Sequence, residues 1–161
     1  MAKLENLSGI SDPQLKRLAK AGVDDPFELL KIASTPKGRD ELSNKVKIAH
    51  GRLLDWAQRI DLWRIKGVGD DYARVLAAAG VTGIVDMSTR NPAELSEEVK
   101  IMSRGIVPRL PSRRMITKWI EEARHLVRRV WYHEPWGDPG LTGQPVRKFP
   151  ESPIVRGAES E

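Results

Sequence analysis

A fixed shift of 58 residues separates two stretches of this chain that read alike. Leu7-Ser8-Gly9-Ile10-Ser11-Asp12 leads into a short amphipathic run ending Ala21-Gly22-Val23. Ile65-Lys66-Gly67-Val68-Gly69-Asp70 leads into one ending Ala79-Gly80-Val81. Leu18 and Leu76, Ala19 and Ala77, Gly22 and Gly80 keep the same offset. Register held over about 16 positions marks a duplicated supersecondary unit. A chain built this way is expected to bury the apolar faces of two related copies in one small core.

The punctuation between the apolar positions is that of short helices. Asp12-Pro13, Asp25-Pro26, Thr35-Pro36 and Asn91-Pro92 each pair a capping side chain with proline at the first helical position. The cap accepts from orphan N–H groups, and proline has no N–H to leave unpaired. Leu15, Leu18 and Ala19 share a face of the first helix, and Gly22 stops it. Phe27 and Leu30 mark a second helix, Leu42 and Val46 a third, and Leu53, Leu54, Trp56, Ala57 and Ile60 a fourth over about 49–62. Tyr72, Val75, Leu76 and Ala79 then repeat the first face. Val85 and Met87 echo Phe27 and Leu29, and Leu95 and Val99 follow Asn91-Pro92. The spacing of Ile116, Trp119, Ile120, Ala123, Val127, Val130 and Trp131 predicts a helix from Ser112 to about Tyr132. Trp119-Ile120 echoes Trp56-Ala57. No alternating β-branched run stands out.

The expected fold is therefore all-α: duplicated halves forming one compact helical domain, with an extended proline-rich tail. The expected boundaries are 1–62 for the first half, 63–132 for the second half with its terminal helix, and 133–161 for the tail. Five of eleven prolines lie in the last 28 residues, which excludes a regular helix there.

Charge is unevenly placed. Residues 1–99 carry 15 Lys/Arg and 15 Asp/Glu, whereas residues 100–133 carry nine Lys/Arg against Glu121 and Glu122. The whole net charge of +5 thus originates in one segment. If 112–132 is one helix, Arg114, Lys118, His125 and Arg129 fall within about 60° of one another on its polar face. Arg124 and Arg128 flank them, and Arg104, Arg109 and Arg113 lie upstream. Such a stripe suits the phosphates of a nucleic acid or an acidic protein surface, or it is a solvated face linked internally by Glu121 and Glu122.

Ile65-Lys66-Gly67-Val68-Gly69-Asp70-Asp71-Tyr72-Ala73 resembles the helix-hairpin-helix signature, apolar-x-Gly-apolar-Gly-x-x-x-Ala. In that pattern glycines permit a tight turn with positive φ and expose N–H groups beside a helix N-terminus, where one backbone phosphate can sit. Val68 plugs the turn into the core and Ala73 lets the helices approach. The first copy departs from the pattern with Ser11 at the second glycine. In the second, Asp70 and Asp71 follow the glycines; as caps they compete with a phosphate for the same N–H groups. Both turns can equally be packing devices.

The tandem arrangement, with Thr35-Pro36-Lys37-Gly38-Arg39-Asp40-Glu41-Leu42 between the copies and a closing Leu-Pro-Ser and tryptophan helix, resembles domain-of-unknown-function family 4332 over about residues 4–125. The resemblance implies a fold and no established activity.

No catalytic constellation emerges. The three histidines, His50, His125 and His133, lack metal-ligand spacing, and there are no cysteines. His133-Glu134 lacks the second histidine of a zinc-protease motif, and Thr35-Pro36-Lys37-Gly38 lacks the spaced glycines of a P-loop. No apolar run approaches the roughly 18 residues of a spanning helix, and nothing at the start reads as a secretory signal. The expectation is a non-enzymatic, cytoplasmic binding module without cofactor or metal. Its first form is sequence-independent DNA-backbone binding through Lys66, Gly67, Gly69, Arg109, Arg113, Arg114, Lys118, Arg124, Arg128 and Arg129. Its second is an adaptor in a larger protein assembly. There the basic helix and tail would dock, with Trp131, Tyr132 and Trp136 anchoring a partner, or else Trp131 and Trp136 seal the chain's own core.

Overall fold

A computed structural model describes residues 3–135. Trp136 and the proline-rich residues after it lie outside the described residues. Among the described residues every regular element is helical. A single 3-10 turn, Leu4–Asn6, precedes α1 (Asp12–Lys20), α2 (Pro26–Ile32), α3 (Pro36–Val46), α4 (His50–Leu62), α5 (Asp70–Ala78), α6 (Ile84–Ser88), α7 (Pro92–Met102) and α8 (Arg113–Ala123). α4 packs against α2, α3 and α5, and α8 packs against α6 and α7. Each copy is thus organised round its last helix, and α4 is the one that reaches across to the second copy.

The 58-residue offset survives as geometry. α1 and α5 start and stop at equivalent positions. Gly9 and Gly67 both take positive φ, +92° and +90°, where an L side chain is strained. Both helices end alike: the Val23 amide donates to Leu18 O, and the Val81 amide to Leu76 O. Gly22 and Gly80 supply the left-handed residue of this Schellman ending. The closing helices align at an offset of 63 instead, with Leu53, Trp56, Ala57 and Ile60 of α4 matching Ile116, Trp119, Ile120 and Ala123 of α8. All eight side chains are buried, and one hydrophobic cluster runs through both copies. Val68 and Ala73 are buried in it as well.

Local caps hold most helix starts. Asp25 accepts from the Phe27 and Glu28 amides, Thr35 from Gly38, Asn91 from Glu94 and Ser112 from Met115. The first helix corrects one expectation. Its cap is Ser11, not Asp12: Ser11 Oγ accepts from the Gln14 amide, and Gln14 Oε1 accepts from the Ser11 amide. Ser11 has φ −90°, and its counterpart Gly69 has φ −98°. The second glycine of the motif therefore has an ordinary conformation, and serine there leaves the turn intact.

The start of α6 is capped from a distance. Gly83, which stands where the first copy has Asp25, has φ +136° and no side chain to cap with. Asp61 of α4 supplies the carboxylate: its Oδ2 accepts from the Ile84 amide at 2.9 Å and its Oδ1 pairs with Arg64 at 2.7 Å. A Cβ at Gly83 would lie 2.9 Å from that oxygen, so glycine here makes room for an imported cap.

The main departure from the sequence reading is α8. The helix ends at Ala123, not near Tyr132. The His125 and Leu126 amides turn back onto Glu122 O and Ala123 O, and the chain then crosses to the first copy. There the Trp131 amide donates to Ser34 O at 2.7 Å. Buried Arg39 of α3 donates to Ala33 O at 2.8 Å and to Trp131 O at 2.7 Å. The Glu134 carboxylate accepts from the Lys37 amide, in the first turn of α3. A buried guanidinium needs acceptors, and this segment provides one; those contacts outweigh the helical periodicity of Val127, Val130 and Trp131.

Two substitutions test the glycine assignment. Gly67→Ala should cost about 1–2 kcal/mol in urea denaturation, because φ is positive there. Gly69→Ser should be neutral or stabilising by a few tenths of a kcal/mol, since its Cβ meets open space and serine can cap α5. Equal losses at both positions would contradict the assignment.

Candidate functional site

At both glycine turns the backbone amide before the first glycine is engaged by a side-chain carboxylate. The Lys66 amide donates to Glu122 Oε2 of α8 at 2.9 Å. Its counterpart Ser8 donates to Asp70 Oδ2 at 3.2 Å. Arg59 of α4, at the position equivalent to Glu122, donates to Ser8 O and pairs with Asp70 at 3.5 Å. Each turn therefore seats the closing helix of its own copy through a polar contact, and Asp70 ties the first turn to α5.

These contacts correct two expectations. Asp70 is the first residue of α5 and not its cap; Gly69 holds the cap position and α5 has no side-chain cap. Asp71 is exposed and pairs with Arg74. Glu122 is half-buried at the second turn rather than part of a solvated face, whereas Glu121 is exposed. Burial pushes the Asp70 carboxyl above its usual range, with Arg59 and the Ser8 amide pulling it back. Asp61 is raised for the same first cause, opposed by Arg64 and the Ile84 amide.

Beside the second turn lies an open groove of about 730 Å³ lined by Trp63, Gly67, Gly69, Asp70, Asp71 and Tyr72 among others. Its charged lining is acidic. Lys66 is exposed but does not line it. The groove's charge is therefore unsuited to a phosphate.

The basic segment has a different character. Arg104, Arg109, Arg113, Arg114, Lys118 and Arg129 are exposed, and none forms a salt bridge among the described residues. By contrast Arg59, Arg64, Arg74 and Arg90 all sit in ion pairs. Because α8 stops at Ala123, the single stripe expected from Arg114 to Arg129 does not form. Arg114 and Lys118 stay one turn apart on α8 with Glu121 beyond them. His125 falls in the turn after it, and Arg128 and Arg129 lie on the crossing segment. Arg124 is exposed and its Nε donates to Ser88 O at 3.3 Å. Arg128 lies over the Trp131 ring, 5.1 Å from its centroid, and donates to Val130 O.

Trp131 is half-buried, held through both backbone groups. Tyr132 is exposed but engaged: its hydroxyl accepts from Gln58 Nε2 at 3.1 Å and donates to Thr82 O at 3.3 Å. Among the described residues no group of three or more His, Cys, Asp or Glu is placed to hold a metal ion, and no helix is long and apolar enough to cross a membrane. Sequence reasoning does not single out Arg39, Asp61 or Glu122 as site-building residues. Arg39 does carry a signal, because it stands three residues before Leu42 and seven before Val46 on the buried face of α3.

The raised Asp61 carboxyl has a defined pH consequence. A carboxyl whose folded pKa exceeds its unfolded value binds its proton more tightly when folded, so its contribution to stability falls as pH rises through that window. The cost of Asp61→Asn, measured by urea denaturation, should therefore grow as pH is lowered from about 7 to about 4.5. A cost that shrinks on acidification would contradict the assignment.

Comparison with curated proteins and with solved structures gives no match. A family model described as "Domain of unknown function (DUF4332)" matches residues 8–126, from the first glycine turn to the residues just beyond α8. The duplicated turns, both closing helices and the basic face of α8 all fall within that span, and the chain belongs to this family.

Proposed function

We propose that this protein is a non-enzymatic module that binds nucleic-acid backbones independently of sequence. The supporting observation is the concentration of its cations over residues 100–133, nine Lys/Arg against Glu121 and Glu122. The arginines of α4 to α6 that touch carboxylates are absorbed into the fold. Arg109, Arg113, Arg114, Lys118 and Arg129 project from the surface without an ion pair among the described residues. Unpaired surface cations gain most from a polyanion, because each phosphate they neutralise releases a condensed counterion. The helix-hairpin-helix-like turns are assigned a secondary, architectural part: the Lys66 amide already has a carboxylate partner, and Asp70 and Asp71 repel phosphate at Gly67 and Gly69.

A second reading, an adaptor that recognises an acidic protein surface, is favoured by one feature. Ile101 and Met102, at the end of α7 and just before Arg104, are 73% and 60% exposed. Apolar side chains beside cations suit a protein interface better than a phosphate backbone.

Titration against duplex DNA at several salt concentrations separates the readings. The proposal expects log K to fall linearly with log salt, with the slope reduced by about 0.9 for each phosphate contact removed in Arg113→Gln, Arg114→Gln or Lys118→Gln. Lys66→Gln should leave affinity within about twofold. Salt-independent or absent binding at low ionic strength would overturn the proposal. Binding to poly-glutamate but not to duplex DNA, weakened in Ile101→Ser/Met102→Ser, would favour the adaptor.

A further inference from the structure

The crossing segment after α8 does more than tie the copies together. Against α2 it leaves a cleft of about 490 Å³, a size typical of small-ligand sites. Phe27 and Lys31 of α2 form one side; Arg128, Arg129 and Trp131 form the other. Arg64 also contributes, but its charge is held by Asp61. No carboxylate lines the cleft. Lys31, Arg128 and Arg129 have no salt bridge among the described residues, so the lining is cationic as well as aromatic.

Phe27 is the second observation. It is 43% exposed on a helix whose Leu29 and Leu30 are buried. The equivalent residue in the second copy, Val85, is 39% exposed. The position therefore faces outward in both copies, but only the first places an aromatic ring there, beside a tryptophan and the cations Lys31 and Arg129.

We infer that this cleft binds one unstacked base and its phosphate from a single-stranded nucleic acid, the base against Phe27 and the phosphate on Lys31 and Arg129, with Arg128 held over the Trp131 ring at the cleft's wall. Stacking surfaces flanked by cations are how sequence-tolerant single-strand sites work. A duplex keeps its bases stacked in the helix and cannot offer one to the cleft. The inference rests on the nucleic-acid reading above and deepens it, because it assigns a preference that backbone contacts alone do not produce.

Fluorescence anisotropy with a labelled single-stranded oligonucleotide and a duplex of equal length tests it, using the full chain. The wild type should bind the single strand more tightly. Phe27→Ala should weaken single-strand binding about fivefold or more, as loss of one stacked base does, and leave duplex binding and the salt slope unchanged. Lys31→Gln should likewise weaken the single strand and spare the duplex, and serves as the second variant should Phe27→Ala unfold. If both folded variants bind the single strand as the wild type does, the cleft assignment is overturned while salt-sensitive duplex binding still supports the broader reading. Absence of binding to either polymer overturns both. Displacement of the oligonucleotide by poly-glutamate at equal charge concentration would show that the cleft reads charge and not a base, and would also overturn it.

Discussion

The backbone amides in front of the two glycine turns donate to carboxylates of other elements, and these contacts set how α4, α5 and α8 meet the turns. Here Ser8 donates to Asp70 and Lys66 to Glu122. The first contact joins the opening turn to α5, with Arg59 of α4 completing the cluster. The second seats α8 on the turn that precedes α5. The Ser8 contact thus makes the first turn a joint between copies, and the Lys66 contact fixes α8 within the second.

The same economy recurs at α6, where Gly83 gives up a local cap and Asp61 supplies one from α4. It recurs again where Arg39, on the buried face of α3, binds the segment that follows α8 through Trp131 O. In each case a polar group on one copy satisfies a backbone group on another element. Two copies of a unit with modest cores are thereby held as one body, with Trp56 and Trp119 buried at equivalent places within it.

These long-range contacts mark the boundary of what the amino-acid sequence reveals. Element type, the repeat and the glycine stops are legible in it because they are local: caps, prolines and periodic apolar residues act within one turn. The helical copies, the buried Val68 and Ala73, and the matched tryptophans all follow from that. The end of α8 is not legible, since Val127, Val130 and Trp131 keep helical spacing while Arg39, 92 residues away from Trp131, decides their conformation. Asp70 and Glu122 escape the sequence for the same reason: their own helices suggest a cap and a solvated face, but their partners lie on other elements. For the candidate site, the basic segment is legible as composition, but its division between α8 and the crossing segment is not. The cleft opposite Phe27 exists only because that helix stops early.

Chemical-shift mapping tests most directly the central claim, that polyanion binding belongs to the basic surface and not to the glycine turns. A short single-stranded oligonucleotide would be titrated into isotopically labelled protein and the backbone amides followed. The account predicts the largest perturbations at Arg113, Arg114, Lys118 and Arg128 to Trp131, with Lys66 to Gly69 little changed. Perturbations centred on Lys66 to Gly69, with the basic segment unmoved, would contradict it.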